Sequence, residues 1–127
     1  LIARGNAARN RKDWAEAIRN YTKALEICPD IGSLWVQLGH AFKEFGALAK
    51  AKTAYSRAAE FMPQNSDLQL QIGHLNKISG NISDAARYYC IALFYDPDNN
   101  DAARELKNLG HSGDVVRMRA FHGKSKV

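Results

Sequence analysis

The chain has 127 residues, of which 46% are apolar and 24% are charged, as is typical of a soluble domain with a buried core. No apolar run approaches the roughly 20 residues that span a bilayer, and no signal-peptide pattern is present, so we expect a cytoplasmic protein without a membrane span. The net charge of +5 is unevenly distributed: residues 1–12 and 115–127 carry +4 each, whereas residues 13–114 carry −3. Nucleic-acid binding requires a continuous basic track, so this distribution argues against it.

The first predicted elements are a short helix within residues 1–12 and an amphipathic helix after Asp13. Asp13 and Glu16 form a capping-box-like pair at the start of the second helix. Apolar and small residues then follow at helical spacing, namely Trp14, Ala17, Ile18, Tyr21, Ala24, Leu25 and Cys28. Pro29 ends this helix, because the residue before a proline is pushed out of the α region.

Two further helix pairs and a shorter C-terminal region follow. The pairs are predicted at 33–45 and 48–61, with Gly46 at the turn, and at 66–79 and 82–95, with Asn81 and Asp84 opening the last helix. The C-terminal region is predicted as a helix at 101–110, a loop at 110–113, two helical turns at 114–121 and a frayed basic end at 123–127.

At five positions the same residue type recurs at a spacing of 34 residues along the chain. They are Gly5, Gly39 and Gly73; Ala17, Ala51 and Ala85; Tyr21, Tyr55 and Tyr89; Ala24, Ala58 and Ala92; and Pro29, Pro63 and Pro97. Such self-similarity indicates a repeat architecture. A glycine inside a helix costs about 1 kcal/mol relative to alanine, so its recurrence indicates a helix contact that is too close for a side chain.

The second repeat, numbered from Gly32 as place 1, closely resembles the tetratricopeptide repeat (TPR) family. The matching places are Trp35 at 4, Leu38 at 7, Gly39 at 8, Phe42 at 11, Gly46 at 15, Ala51 at 20, Tyr55 at 24, Ala58 at 27 and Pro63 at 32. The resemblance implies an all-α, right-handed α-solenoid of helix-turn-helix repeats with a C-terminal capping helix. We expect one domain over residues 1–127, with repeats at about 1–31, 32–65 and 66–99 and a capping helix and tail at 100–127.

The resemblance also implies a ligand groove, because the first helix of each TPR repeat lines the concave surface. The residues at the groove-facing places form an apolar row, a row of amides and imidazoles, and a row of cations. The apolar row consists of Ile2, Val36 and Leu70, and Arg104 occupies the same place. The row of amides and imidazoles consists of Gln37 and Gln71 at one place and Asn6, His40, His74 and Asn108 at another. The row of cations consists of Arg9, Lys43, Lys77 and His111. Because none of these rows is expected to hold the paired helices together, we interpret them as contact residues. A solvated polar helix face is the alternative interpretation.

No residue pattern predicts catalysis or a cofactor. The sequence contains no nucleophile paired with a base in a recognisable local motif. It also contains no glycine-rich loop of the kind that binds phosphate. His40 and His74 lack a carboxylate or thiolate at a metal-ligand spacing, so we expect no metal. Cys28 and Cys90 do not form a metal-type pair, and we expect two small buried apolar residues in a reducing compartment.

Chaperone-binding TPR domains bind a C-terminal carboxylate through five residues in three successive repeats. These are Lys and Asn at places 5 and 9 of the first repeat, Asn at place 6 of the second, and Lys and Arg at places 2 and 6 of the third. The corresponding residues here are Ile2, Asn6, Gln37, Asp67 and Gln71. Only Asn6 agrees with that pattern, so a co-chaperone role of this type is not expected.

We therefore predict a non-enzymatic scaffold that binds a peptide or helical segment of a partner protein in the concave groove. Two segments of the chain, WVQLGHAFKEFG and LQLQIGHLNKISG, are also similar to TPR segments that precede catalytic domains in some bacterial glycosyltransferases. An accessory region of a larger enzyme is therefore one alternative. A self-assembly module is another, and weak self-association is expected.

Overall fold

A computed structural model describes residues 1–125, with the side chains of residue 112 and residues 120–125 excepted. Over this range the chain forms eight α-helices and no strand. The helices are α1 (Ile2–Asn10), α2 (Trp14–Ile27), α3 (Gly32–Phe45), α4 (Leu48–Phe61), α5 (Ser66–Ile78), α6 (Ile82–Tyr95), α7 (Asn100–Asn108) and α8 (Ser112–Ser125). The predicted all-α organisation and the positions of the first six helices are confirmed.

Side-chain caps and a turn glycine set several of the helix ends, although Asn81, the predicted start of α6, makes no side-chain cap hydrogen bond. The Asp13 side chain accepts a hydrogen bond from the Glu16 N–H (3.2 Å), which confirms the predicted cap of α2. Asn65 and Asn99 cap α5 and α7 in the same way. Gly46 has φ +95, a left-handed conformation that glycine adopts without a steric penalty, and it makes the predicted turn between α3 and α4.

The C-terminal region contains more helix than the sequence predicted. Helix α8 begins at Ser112, so the expected loop at 110–113 is too long, and its backbone is helical through Ser125, where a frayed end was expected. Asp114 explains the early start, because its carboxylate, in the first turn of α8, accepts hydrogen bonds from His111 and Arg117. The predicted basic end at residues 126–127 lies outside the described residues.

The chain divides into two compact units, Leu1–Pro63 with α1–α4 and Gln64–Val127 with α5–α8. In the first unit the core includes Ala8, Ala17, Tyr21, Leu25 and Leu38. In the second unit Tyr89, Leu93, Leu106 and Val115 are buried together, and Met118 of α8 packs against them. Each unit therefore has a hydrophobic core of its own.

The recurring glycines lie under the recurring tyrosines, as the spacing predicted. A Cβ on Gly5 would lie 2.5 Å from Cε1 of Tyr21, and one on Gly73 would lie 2.7 Å from Cε1 of Tyr89. Real Cβ atoms do not approach ring atoms this closely, so a side chain would force the two helices apart. The missing side chain therefore allows the tyrosine ring to cross the neighbouring helix.

The two cysteines do not match the expectation of buried residues. Cys28 is exposed because it caps the C-terminal end of α2, and Cys90 is only partly buried on α6. Both are free thiols. Burial raises the pKa of the Cys90 thiol.

Candidate ligand-binding surface

A tyrosine from the second helix of each pair is hydrogen-bonded to a polar side chain on the first helix. The hydroxyl of Tyr21 donates to Asn6 Oδ1 (2.7 Å). The hydroxyls of Tyr55 and Tyr89 lie 2.6 and 2.9 Å from Nδ1 of His40 and His74, respectively. The two partners are 15 residues apart in every case, because each tyrosine ring crosses the glycine and reaches the next residue of the first helix.

These contacts correct one expectation. Asn6, His40 and His74 were predicted to contact a ligand without holding the paired helices together, but each bonds a buried tyrosine of the second helix. A buried hydroxyl without a partner would cost about 1–3 kcal/mol. The three residues therefore contribute to the helix pairing in addition to any role at the surface.

Burial keeps the tyrosine hydroxyls protonated. It raises the pKa of Tyr21, and burial together with the nearby Glu105 carboxylate raises the pKa of Tyr89 to about 12. A protonated hydroxyl can donate to a histidine Nδ1, and in a neutral imidazole the ring proton is then on Nε2. A histidine held in this way can present a fixed ring orientation to a ligand.

In the first unit, six of the predicted contact residues are half-buried on α1 and α3. We call them the α1–α3 surface: Asn6, Arg9, Val36, Gln37, His40 and Lys43. Arg9 donates from Nη1 to Gln37 Oε1 (2.9 Å), which links the two helices. Asn6, Arg9 and Gln37 line a cleft of about 250 Å³ together with Ile2, Ile31, Ser33 and Leu34.

The six predicted residues of the second unit differ in exposure and in charge. Leu70 is only 4% exposed and belongs to the hydrophobic core, so its prediction as a contact residue is wrong in this structure. Gln71 and His74 are half-buried, whereas Lys77, Arg104 and Asn108 are exposed. The expected apolar row is therefore not an exposed feature of this unit.

Carboxylates pair with the predicted cations of the second unit, including His111, whose Nδ1 lies 2.8 Å from Asp114 Oδ2. Lys77 Nζ lies 2.6 Å from Glu105 Oε2, and Arg104 Nη2 lies 2.5 Å from Asp101 Oδ1. By contrast, the hydrogen bonds of the Arg9 guanidinium in the first unit go to the amide oxygens of Gln37 and Asn10. Arg9 therefore keeps its net positive charge at the α1–α3 surface.

The sequence reasoning missed two groups of residues at these surfaces. It treated the tyrosines as packing residues only, although the constant 15-residue separation from a polar side chain could have indicated the hydrogen bond. It also missed the acidic partners. Arg104 and Asp101 are three residues apart on one helix, a pairing that is readable from sequence, whereas Lys77 and Glu105 are brought together only by tertiary packing.

Two general properties of the described part of the chain bear on function. Among residues 1–125, no helix is long and apolar enough to cross a membrane. Among the side chains that the structure describes, no three from histidine, cysteine, aspartate or glutamate lie close enough together to hold a metal ion.

Comparison with known proteins gives matches to one family. Two family models, both described as "Tetratricopeptide repeat", match residues 1–31 and residues 32–65. No curated protein sequence matches significantly.

Solved structures with the same fold include the TPR domain of Arabidopsis OM64, with 25% identity and a TM-score of 0.76, covering 84% of this chain and 88% of that one. The first TPR of Spaghetti (RPAP3) bound to the HSP90 peptide SRMEEVD has 21% identity and a TM-score of 0.77, covering 85% and 86%. The TPR2B domain of yeast Sti1 in a complex with Hsp70 has 18% identity and a TM-score of 0.72, covering 92% and 94%. These matches confirm the predicted fold class of helix-turn-helix repeats.

Proposed function

We propose that this chain, which belongs to the tetratricopeptide repeat family, is a protein-interaction module whose α1–α3 surface binds an extended or helical segment of a partner protein. We further propose that the segment carries a carboxylate opposite Arg9. In this proposal the region is non-catalytic, needs no cofactor and acts in the cytoplasm. The free state of both cysteines is in keeping with a reducing compartment.

The observation that carries the proposal is the charge of Arg9. Its guanidinium is held by a hydrogen bond to Gln37 in a half-buried cleft, and its described partners, the amide oxygens of Gln37 and Asn10 and the Tyr21 hydroxyl, carry no negative charge. Arginine binds carboxylates through paired N–H donors of fixed geometry. A guanidinium whose orientation is already restricted loses less conformational entropy when it binds such a group.

Two of the structural neighbours bind peptides of chaperones, namely HSP90 and Hsp70. Their similarity to this chain is below 25% identity, and this chain has only Asn6 in common with the residue pattern of carboxylate-clamp domains. We therefore propose a peptide ligand that differs from those chaperone C-termini. An accessory region of a larger enzyme would use the same surface, and the same experiment applies to it.

Phage-displayed random peptides selected on the full chain would test this proposal. Selected peptides are synthesised with a fluorescent label and titrated by fluorescence anisotropy. We expect acidic residues to be enriched, and we expect Arg9→Glu to weaken binding by about tenfold, since it replaces an attraction with a repulsion.

Lys107→Glu is the matched control, because Lys107 is an exposed lysine on α7 and its change alters the net charge equally. Equal weakening by Lys107→Glu would indicate non-specific charge attraction. Peptides without acidic enrichment, or binding unchanged by Arg9→Glu, would contradict the proposed surface.

A further inference from the structure

A second apolar groove lies between α2 and α4 in the first unit, away from the α1–α3 surface. Its floor consists of Trp35, Leu38 and Phe42 of α3, which line two neighbouring cavities of about 350 and 260 Å³. Thr22 and Glu26 belong to the α2 side, and Lys50 and Thr53 belong to the α4 side. All four of these wall residues are exposed.

The floor of the groove is held in place but is not fully covered. Trp35 donates from Nε1 to the Pro29 carbonyl oxygen (2.7 Å), which fixes its ring orientation. Trp35 and Phe42 are nevertheless only partly buried, whereas Leu38 beneath them is buried. Each cavity is several times the ~30 Å³ that a water molecule occupies in the liquid, so each can accommodate a large apolar side chain.

The two sides of the groove have opposite charge. On the α4 side, Lys50 Nζ lies 6.0 Å from the centre of the Phe42 ring. The Arg57 guanidinium lies 5.3 Å from the centre of the Trp35 ring, but it is paired with Glu60 of the same helix (2.6 Å), so Lys50 supplies the positive charge on this side. On the α2 side the charged lining residue is Glu26. A bound segment with carboxylates beside α4 and a basic or neutral residue beside α2 would complement this arrangement.

We propose that the α2–α4 groove binds an amphipathic segment of a partner protein, with two apolar side chains in the cavities on either side of Trp35 and Phe42 and an acidic side chain against Lys50. Binding in this mode resembles a helix that lies in a hydrophobic groove. The apolar anchors supply most of the affinity, and the charge difference between the two sides sets the orientation. This second surface does not depend on the α1–α3 surface.

A pair of short synthetic peptides provides the probe. Both carry leucine and phenylalanine along one helical face, and the flanking residues are glutamates in one peptide and lysines in the other. The full chain with Trp14→Phe retains Trp35 as its one tryptophan, so a change in indole emission reports on the groove. We expect saturable emission changes with the glutamate peptide and about tenfold weaker binding of the lysine peptide.

Two variants localise the binding. Thr53→Phe adds a ring over one cavity at an exposed helix position and should weaken binding of the glutamate peptide about tenfold or more. Lys50→Glu should reverse the preference between the two peptides. Lys107→Glu should leave both affinities unchanged, because Lys107 is an exposed residue of α7 that does not line this groove. Circular dichroism establishes that each variant is folded.

Three results would overturn the inference: no emission change with either peptide, equal affinity for both peptides, or insensitivity to Thr53→Phe in a folded variant. Weakening by Arg9→Glu alone would assign the peptides to the α1–α3 surface and also overturn it. If Arg9→Glu did not weaken binding of the phage-selected peptides, the proposed function of the α1–α3 surface would fail, but the inference about the α2–α4 groove would stand. The failures of the two proposals are therefore distinguishable.

Discussion

A Cβ built on Gly39 would lie 2.5 Å from Cδ1 and Cε1 of Tyr55. The Tyr55 side chain is fully buried, so its ring cannot move aside without disturbing the core. The same relationship joins Gly5 to Tyr21 and Gly73 to Tyr89, which makes it a general feature of the helix pairs.

Gly39→Leu is expected to destabilise the protein by several kcal/mol through overpacking, despite the better helix propensity of leucine. Gly39→Ala should also destabilise, because the clash begins at Cβ. The measurement is the free energy of unfolding by denaturant. Gly113→Ala is the control, since its Cβ would lie at an ordinary 3.7 Å from the Arg117 side chain. A Gly39→Leu protein as stable as the parent would show that the repeat register is wrong.

The hydrogen bond between His40 and Tyr55 predicts a difference between two substitutions of one residue. His40→Ala removes the hydrogen bond to the Tyr55 hydroxyl and should cost about 1 kcal/mol of unfolding free energy. His40→Asn should cost less, because Asn6 already bonds Tyr21 in the equivalent position.

Lys43→Ala, by contrast, should change stability little. Denaturant unfolding of the three single variants tests this. Identical stability of His40→Ala and the parent would mean that the hydrogen bond contributes nothing.

The raised tyrosine pKa values predict a loss of stability at alkaline pH. The pKa of Tyr89 is raised from 10.0 to about 12 by burial, so the stabilising effect of the neutral hydroxyl is complete below pH 10. As pH rises above 10, the unfolded state loses the tyrosine proton first, and stability falls until the folded-state pKa is passed. The difference between a pKa of 10.0 and one of about 12 corresponds to roughly 2–3 kcal/mol of unfolding free energy, which is lost over this pH range.

Unfolding free energies measured from neutral pH to about pH 12 would test this, with phenolate absorbance as the readout of titration. Tyr89→Phe should flatten part of the decline, and the difference between the parent and the variant isolates this residue. A variant with the same pH dependence as the parent would contradict the assignment.

Exposed apolar residues at the N-terminal end predict weak self-association. Ile2 is 44% exposed and Ile27 is 71% exposed, and both line an apolar cleft of about 380 Å³. Trp14 and Ile18 are partly buried against the core. In the last element Val115 is buried and Val116 is 68% exposed, and the predicted contribution of Phe121 lies outside the described side chains.

Both ends carry +4, and their repulsion is screened within about 8 Å at physiological salt. Apolar contact, in contrast, gains about 25 cal/mol per Å² at any salt concentration. We therefore expect association to increase with salt, with a monomer dominant at low salt. Light scattering of the reduced protein across a salt series measures this, and Ile27→Lys should suppress it. A tight dimer that dissociates as salt rises would indicate an electrostatic interface instead.

The fold was largely predictable because its determinants are local or strictly periodic. Gly39 and Tyr55 are 16 residues apart, and the same pair recurs at a 34-residue interval, so the sequence alone indicated a close helix contact and the repeat. The C-terminal end of the chain departs from this periodicity. The predicted loop at 110–113 was therefore wrong in length, because hydrogen bonds to the Asp114 side chain start α8 earlier.

The sequence by itself determined the helices, their pairing and the residue types on each helix face, since these follow from spacing and capping along the chain. Only the tertiary structure decided which of those residues are available to a ligand. It buried Leu70 in a core, joined Lys77 to Glu105 from another helix and left Arg9 bonded to neutral amides. The physical reason is that burial and ion pairing depend on distances between side chains far apart in the chain, and periodicity does not encode those distances.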